Sequence, residues 1–182
     1  ILAAKLLASA IIAVIGTVIY MVGFQFYMTS FSIFMEGQQI ALASPSPIIY
    51  LLLAISLLLA ILFTTSLGVV IGALSNDVRI ANSFLPILIF PIMIPAFVLM
   101  FGGSIENLPM AFKMAMLALP TTYPMVLSRS TLLGEVPIEA LYGIPYSIFI
   151  TIVVIYLTSR LLEPERLFRL QHAILIRRRK RF

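Results

Sequence analysis

Few side chains in this sequence could do chemistry, and their types exclude most of it. Cysteine is absent, which removes disulfides, thiol catalysis and cysteine-bound metal. The single histidine, His172, stands in a basic tail, where a solvated or lipid-headgroup role fits better than proton transfer. The carboxylates are scattered along connectors, so no nucleophile–base pair is visible and no catalytic residue is assigned. A glycine-rich GxxxxGK phosphate loop is also missing, so ATP is not bound here by that route. Met93, Met100, Met110, Met114, Met116 and Met125 cluster. Thioethers can hold Cu(I), but without cysteine or a nearby histidine these residues read as packing, and no metal or cofactor site is assigned.

Three groups remain. Asp77 and Arg79, with Asn76, are a polar knot in an apolar run: between Gly37 and Ile105 they are the only charges. They could meet a partner or merely cap two helices. Thr64, Thr65, Ser66, Thr121 and Thr122 carry hydroxyls that could face a substrate path. They could equally bond between helices or back to the preceding turn. Arg177, Arg178, Arg179, Lys180 and Arg181 form a basic run that attracts anionic lipid at about 1 kcal/mol per residue. Beside an apolar span, a lipid anchor is a simpler reading than nucleic-acid binding.

The elements that must position these groups are set by the solvent. The 182 residues are 62% hydrophobic and 10% charged, with a mean hydropathy of +1.13. Water-soluble domains run near 45–50% apolar and about 25% charged. The solvent for most of this chain is therefore lipid. Crossing a hydrocarbon core of about 30 Å takes about 20 helical residues. The sequence predicts an all-α polytopic membrane protein with four transmembrane helices, at about 5–26, 48–74, 82–100 and 138–158. Gly16 and Gly23 predict close packing of the first. The third carries Pro86, Pro91 and Pro95 and is predicted to persist as a kinked span, since lipid-embedded neighbours can satisfy the freed carbonyls. Segment 104–137 holds apolar pieces too short to span, and predicts two short external helices, re-entrant or interfacial, broken between Pro120 and Pro124. After Arg160 comes a basic tail, 161–182, in which Pro164 suits the first turn of an amphipathic surface helix. The transmembrane domain is thus 1–160. The apolar pattern is already running at Ile1 without an initiator methionine, which predicts further spans upstream.

Basic residues set the orientation. Placing the C-terminus in the cytoplasm puts Lys5, Arg79 and the eight basic residues from Arg160 to Arg181 inside, ten of the twelve. Only Lys113 and Arg129 then lie outside, beside Glu36, Glu106, Glu135 and Glu139. The spans carry no charge in their interiors, whereas ion-coupled carriers usually place ionisable groups there. If this protein moves something, the energy comes from elsewhere.

The order of short motifs resembles the exporter-type (type 2) permease subunits of ATP-binding-cassette transporters. Lys5-Leu-Leu-Ala-Ser9 looks like the lysine-led start of that family's third span, and Ser66-Leu-Gly-Val-Val-Ile-Gly-Ala-Leu-Ser75 like the end of its fourth. Ala81-Asn-Ser-Phe-Leu-Pro86 through Gly102-Gly103 is similar to the turn and the proline-bearing fifth. Leu108-Pro109, Leu119-Pro-Thr-Thr-Tyr123 and Arg129 to Gly134 resemble its external stretch, with Leu119 at a position the family usually gives to asparagine. The resemblance implies the C-terminal four-span portion of a six-span subunit, with the coupling helix mostly upstream of Ile1.

It further implies ATP-driven export by alternating access across the cell membrane. ATP and Mg would be used by a separate ATP-binding subunit, so the chain itself would not be an enzyme, and a second permease subunit would complete a homo- or heterodimer. Candidate cytoplasmic contacts are then Asn76, Asp77, Arg79, Glu163, Glu165, Arg166 and Arg169. The prolines and hydroxyls become kink and path residues, and the external helices a lid. Two other classes stay open at this point: an independent channel or secondary carrier, and a non-transporting membrane scaffold that recruits partners through its tail.

Overall fold

In the computed structural model, residues 2–35, 46–75, 77–101, 105, 108–133 and 138–161 are described. All of their regular structure is helical: α1 Leu2–Met35, α2 Pro47–Leu74, α3 Val78–Phe101, α4 Met110–Leu117, α5 Thr122–Leu133 and α6 Ile138–Leu161. Four of these hold stretches long and apolar enough to cross a bilayer: Leu7–Ser30, Pro47–Gly72, Val78–Leu99 and Ile138–Arg160. The chain is a multi-pass membrane protein.

The helix ends follow local chemistry. Pro47 opens α2 from an extended Ser46, since its fixed φ suits a first helical turn and its missing N–H would have no partner there. Ser75 ends α2 by sending both its N–H (3.1 Å) and its hydroxyl (2.7 Å) to the Ile71 carbonyl. The expected capping role of the polar knot falls to Asp77. Its carboxylate accepts from the Arg79 N–H at 3.4 Å, and its carbonyl accepts from Ile80 and Ala81. This starts α3 at Val78, four residues before the predicted Asn82, so Arg79 lies in the first turn rather than in a loop. Asn76 is outside the described residues, as is the whole tail with Glu163, Glu165, Arg166, Arg169 and Arg177 to Arg181. α1 also overruns its predicted end at Phe26, reaching Met35, because polar residues such as Gln25, Thr29 and Ser30 do not themselves stop a helix. Thr29 returns its hydroxyl to the Gln25 carbonyl at 2.9 Å.

α2 is the hub, packing against α1, α6, α5 and α3. Its contact with α1 uses small residues: Ser9, Ala13 and Thr17 are buried along one α1 stripe, and a Cβ on Gly16 would rest 3.5 Å from Ile61. Gly23 does not share that role. It faces open space, on the side of α1 away from Phe24, which meets Tyr50 of α2. The main core cluster joins Leu53 of α2, Leu127 of α5, and Ala140 and Ile144 of α6. Among the described residues the buried polar side chains are serines and threonines, while large aliphatic and aromatic side chains cover the outside of α1 and α3. This is the inverse of a water-soluble fold, as lipid solvent requires.

The two short helices form a sharply bent pair. α4 and α5 are bent by 102° about residues 118–121. α4 descends beside α6: Lys113 pairs with Glu139 at 2.8 Å, and Ala118 meets Tyr146 at 3.0 Å. Those two α6 residues are about 10 Å apart along a helix rising 1.5 Å per residue. α5 then returns between α2, α3 and α6. α5 is not a surface helix, since its residues from Thr122 to Thr131 are buried or half-buried.

Candidate functional site

A helix break inside a bundle exposes backbone carbonyls that lipid cannot satisfy. Three hydroxyls close this one. Thr122 donates to the Met116 carbonyl at 2.6 Å, Tyr123 to Leu117 at 2.6 Å, and Tyr146 of α6 to Ala118 at 3.0 Å. Three successive carbonyls at the end of α4 are thus each capped from a different residue. The Tyr123 ring lies directly over Gly143, and a Cβ there would overlap the ring, so only glycine admits this approach. Arg129, further along α5, donates to the Leu99 carbonyl at 3.4 Å, near the end of α3, where a helix presents its negative pole.

This frame holds open a cleft of about 320 Å³. Its walls come from four places: Tyr20 of α1, Ile61 and Thr64 of α2, Ile92 of α3, and Thr121 with Met125 at the break. Thr65 also borders it. Three of the five predicted path hydroxyls therefore meet at one place although they are far apart in sequence. Their chemistry differs. Thr64 donates to Ala60 at 2.8 Å and Thr65 to Ile61 at 2.8 Å, so both are already engaged by their own helix. Thr121 Oγ1 is buried and has no hydrogen-bond partner among the described residues. A buried hydroxyl without a partner is costly, and this one, like Ser147 Oγ and Thr151 Oγ1 of α6, is an unmet bond within the packed chain rather than a group on the open surface of the cleft.

The other predicted path residues lie elsewhere. Ser66 is buried and bonds to Leu62 at 2.7 Å, and Thr122 is consumed in closing the break. Pro86 and Pro91 are exposed on α3, and Pro95 is buried. All three prolines sit within one helix that is unbroken from Val78 to Phe101. Tyr20, Ile92 and Met125 line the cleft without any sequence signal, since a tyrosine, an isoleucine and a methionine in apolar runs read as packing. Gly143 and Tyr146 had a faint one, being a glycine and an aromatic one turn apart near the start of a span.

Among the described residues no carboxylate, ammonium, guanidinium or imidazole lines the cleft. Its described walls suit an apolar or uncharged molecule and carry no group to move a proton at neutral pH. Among the described residues no group of histidine, cysteine, aspartate or glutamate side chains could hold a metal. No protein-family model matches the chain, and no curated protein and no solved structure is significantly similar to it.

Proposed function

We propose that this chain is a membrane-spanning permease subunit of an exporter-type ATP-binding-cassette transporter, forming the translocation path while a separate ATP-binding subunit uses ATP and Mg. The observation that carries the reading is the cleft walled by three spans and the helix break, whose described lining bears no formal charge. A path without ionisable groups takes no energy from an ion gradient by titration or charge pairing, so the driving force belongs to a partner. The resemblance of motif order supplies the kind of partner: an ATP-binding subunit, with a second permease subunit completing the path.

In this reading the protein lies in the cell membrane with its C-terminus and the α2–α3 turn in the cytoplasm, the side that holds most basic residues. Asp77 and Arg79 are then the described side chains that face the ATP-binding subunit. Both are exposed, and Asp77 holds the first turn of α3, so a push on this turn acts on the helix that contributes Ile92 to the cleft. Pro86, Pro91 and Pro95 donate no main-chain bond to residues 82, 87 and 91, which makes these the points where α3 resists bending least.

The test is copurification with a candidate ATP-binding subunit, followed by ATP-dependent uptake into inside-out vesicles. Substituting Asp77 and Arg79 together by alanine is expected to lower transport-coupled ATP hydrolysis about tenfold with both subunits still assembled. Unchanged coupling removes the transmission role from the turn. Flux that follows an imposed ion gradient without ATP replaces the reading with that of a carrier or channel.

A further inference from the structure

Beside the break, α4 and α6 border a second cleft, of about 470 Å³. Three tyrosines border it: Tyr123 from the break, and Tyr142 and Tyr146 one turn apart on α6. Glu139, in the first turn of α6, lines the same cleft, and its carboxylate accepts from the Lys113 ammonium at 2.8 Å. Leu117 and Met114 of α4 make the apolar wall.

We infer that this cleft is a binding site for the zwitterionic headgroup of a membrane phospholipid, an alkylammonium joined to a phosphate. Depth is the first reason. Glu139 and Lys113 mark where α6 leaves the apolar zone, and Tyr142 and Tyr146 occupy its next two turns, the level at which tyrosines meet lipid headgroups. Charge is the second. The Lys113–Glu139 pair is neutral overall but presents both signs side by side, with the side chains 21% and 19% exposed. A purely anionic headgroup would meet Glu139 and a simple cation would meet Lys113. A zwitterion satisfies both, with its phosphate toward Lys113 and its ammonium toward Glu139. The rings are the third reason. Tyr123 and Tyr146 spend their hydroxyls on the Leu117 and Ala118 carbonyls, which fixes the rings in place. Fixed ring faces beside a carboxylate attract an alkylammonium. Tyr142 is 75% exposed and free to close over such a group.

The site is independent of any transport role. A lipid held here bridges α4 to α6, as the Tyr146 hydroxyl does at Ala118.

The experiment is native mass spectrometry of the full chain, delipidated and offered phosphatidylcholine, phosphatidylethanolamine and phosphatidylglycerol in equal amounts. Both zwitterionic lipids are expected to be retained over phosphatidylglycerol. Phosphatidylcholine in excess assigns the tyrosine faces the larger share, and phosphatidylethanolamine in excess assigns it to Glu139. Tyr142→Leu is expected to lower zwitterion retention about threefold to fivefold, as loss of one cation–π contact predicts, while Tyr142→Phe keeps it. Because Tyr142 is largely exposed, both variants keep the fold, and this pair decides the matter if Glu139→Gln loosens α4. Equal retention of phosphatidylglycerol, or equal retention by Tyr142→Leu and wild type, overturns the inference.

Discussion

α3 and α5 lie against each other and obey opposite rules. α3 is 24 residues of almost unbroken apolar sequence, yet its large side chains, among them Phe90 at 69% and Ile87 at 67%, are exposed. α5 has 12 residues that include Arg129, two serines and two threonines, yet it is the helix held between α2, α3 and α6. In water this arrangement would be absurd. In lipid, apolar side chains gain nothing by leaving the solvent, so helices associate through close packing and hydrogen bonds. A short helix rich in hydroxyls is a better core element there than a long greasy one. The difference also separates roles: α5 and the break are fixed by many bonds, whereas α3 meets the bundle through fewer residues and carries the prolines.

The largest break in this contrast is expected at Gly143. Gly143→Val drives a branched side chain into the Tyr123 ring and should expel the break from its seat on α6, at a cost of about 2–4 kcal/mol. Thermal unfolding in detergent reads this as a large fall in midpoint, and protease should then cleave near residues 118–121. Next comes a paired substitution. Leu127→Ala in the cluster with Leu53, Ala140 and Ile144 should cost about 2–4 kcal/mol, while Phe90→Ala on α3 should cost under about 0.5 kcal/mol. Equal losses in the same unfolding assay would mean that α3 is packed as tightly as α5. The smallest effect separates two threonines. Thr122→Val removes a fully buried bond to the Met116 carbonyl, which keeps the Leu119 N–H at 3.1 Å, and should cost about 1–2 kcal/mol, whereas Thr64→Val removes a half-buried second bond to a carbonyl within α2 and should be close to neutral. Similar values for the two would show that the break does not depend on its caps.

The spans were legible in the sequence because length and apolarity are local properties. Uncharged runs flanked by Ser44-Pro-Ser-Pro47, by Asp77 with Arg79, and by Arg160 mark their ends without any knowledge of neighbours. The break between Pro120 and Pro124 was visible too, since two prolines and two threonines interrupt a helical pattern. Burial was not legible. Apolar content normally signals the core, but in lipid it cannot tell a covered face from an exposed one, so nothing in the residues of α3 and α5 ranks the second above the first. The hydroxyls show the same division. Thr64, Thr65 and Thr121 were all recognisable as polar atoms in apolar surroundings, but only the folded chain brings them to one cleft.

What the sequence determined by itself is the solvent, the number of spans and where they turn, because each depends on consecutive residues and on the thickness of a bilayer. What the tertiary structure decided is which buried hydroxyls are bonded and which, Thr121, Ser147 and Thr151, are not. Thr121 and Thr122 are adjacent, yet one closes a carbonyl of α4 and the other is left without a partner. The reason is the 102° bend between α4 and α5, which turns neighbouring side chains toward different surroundings.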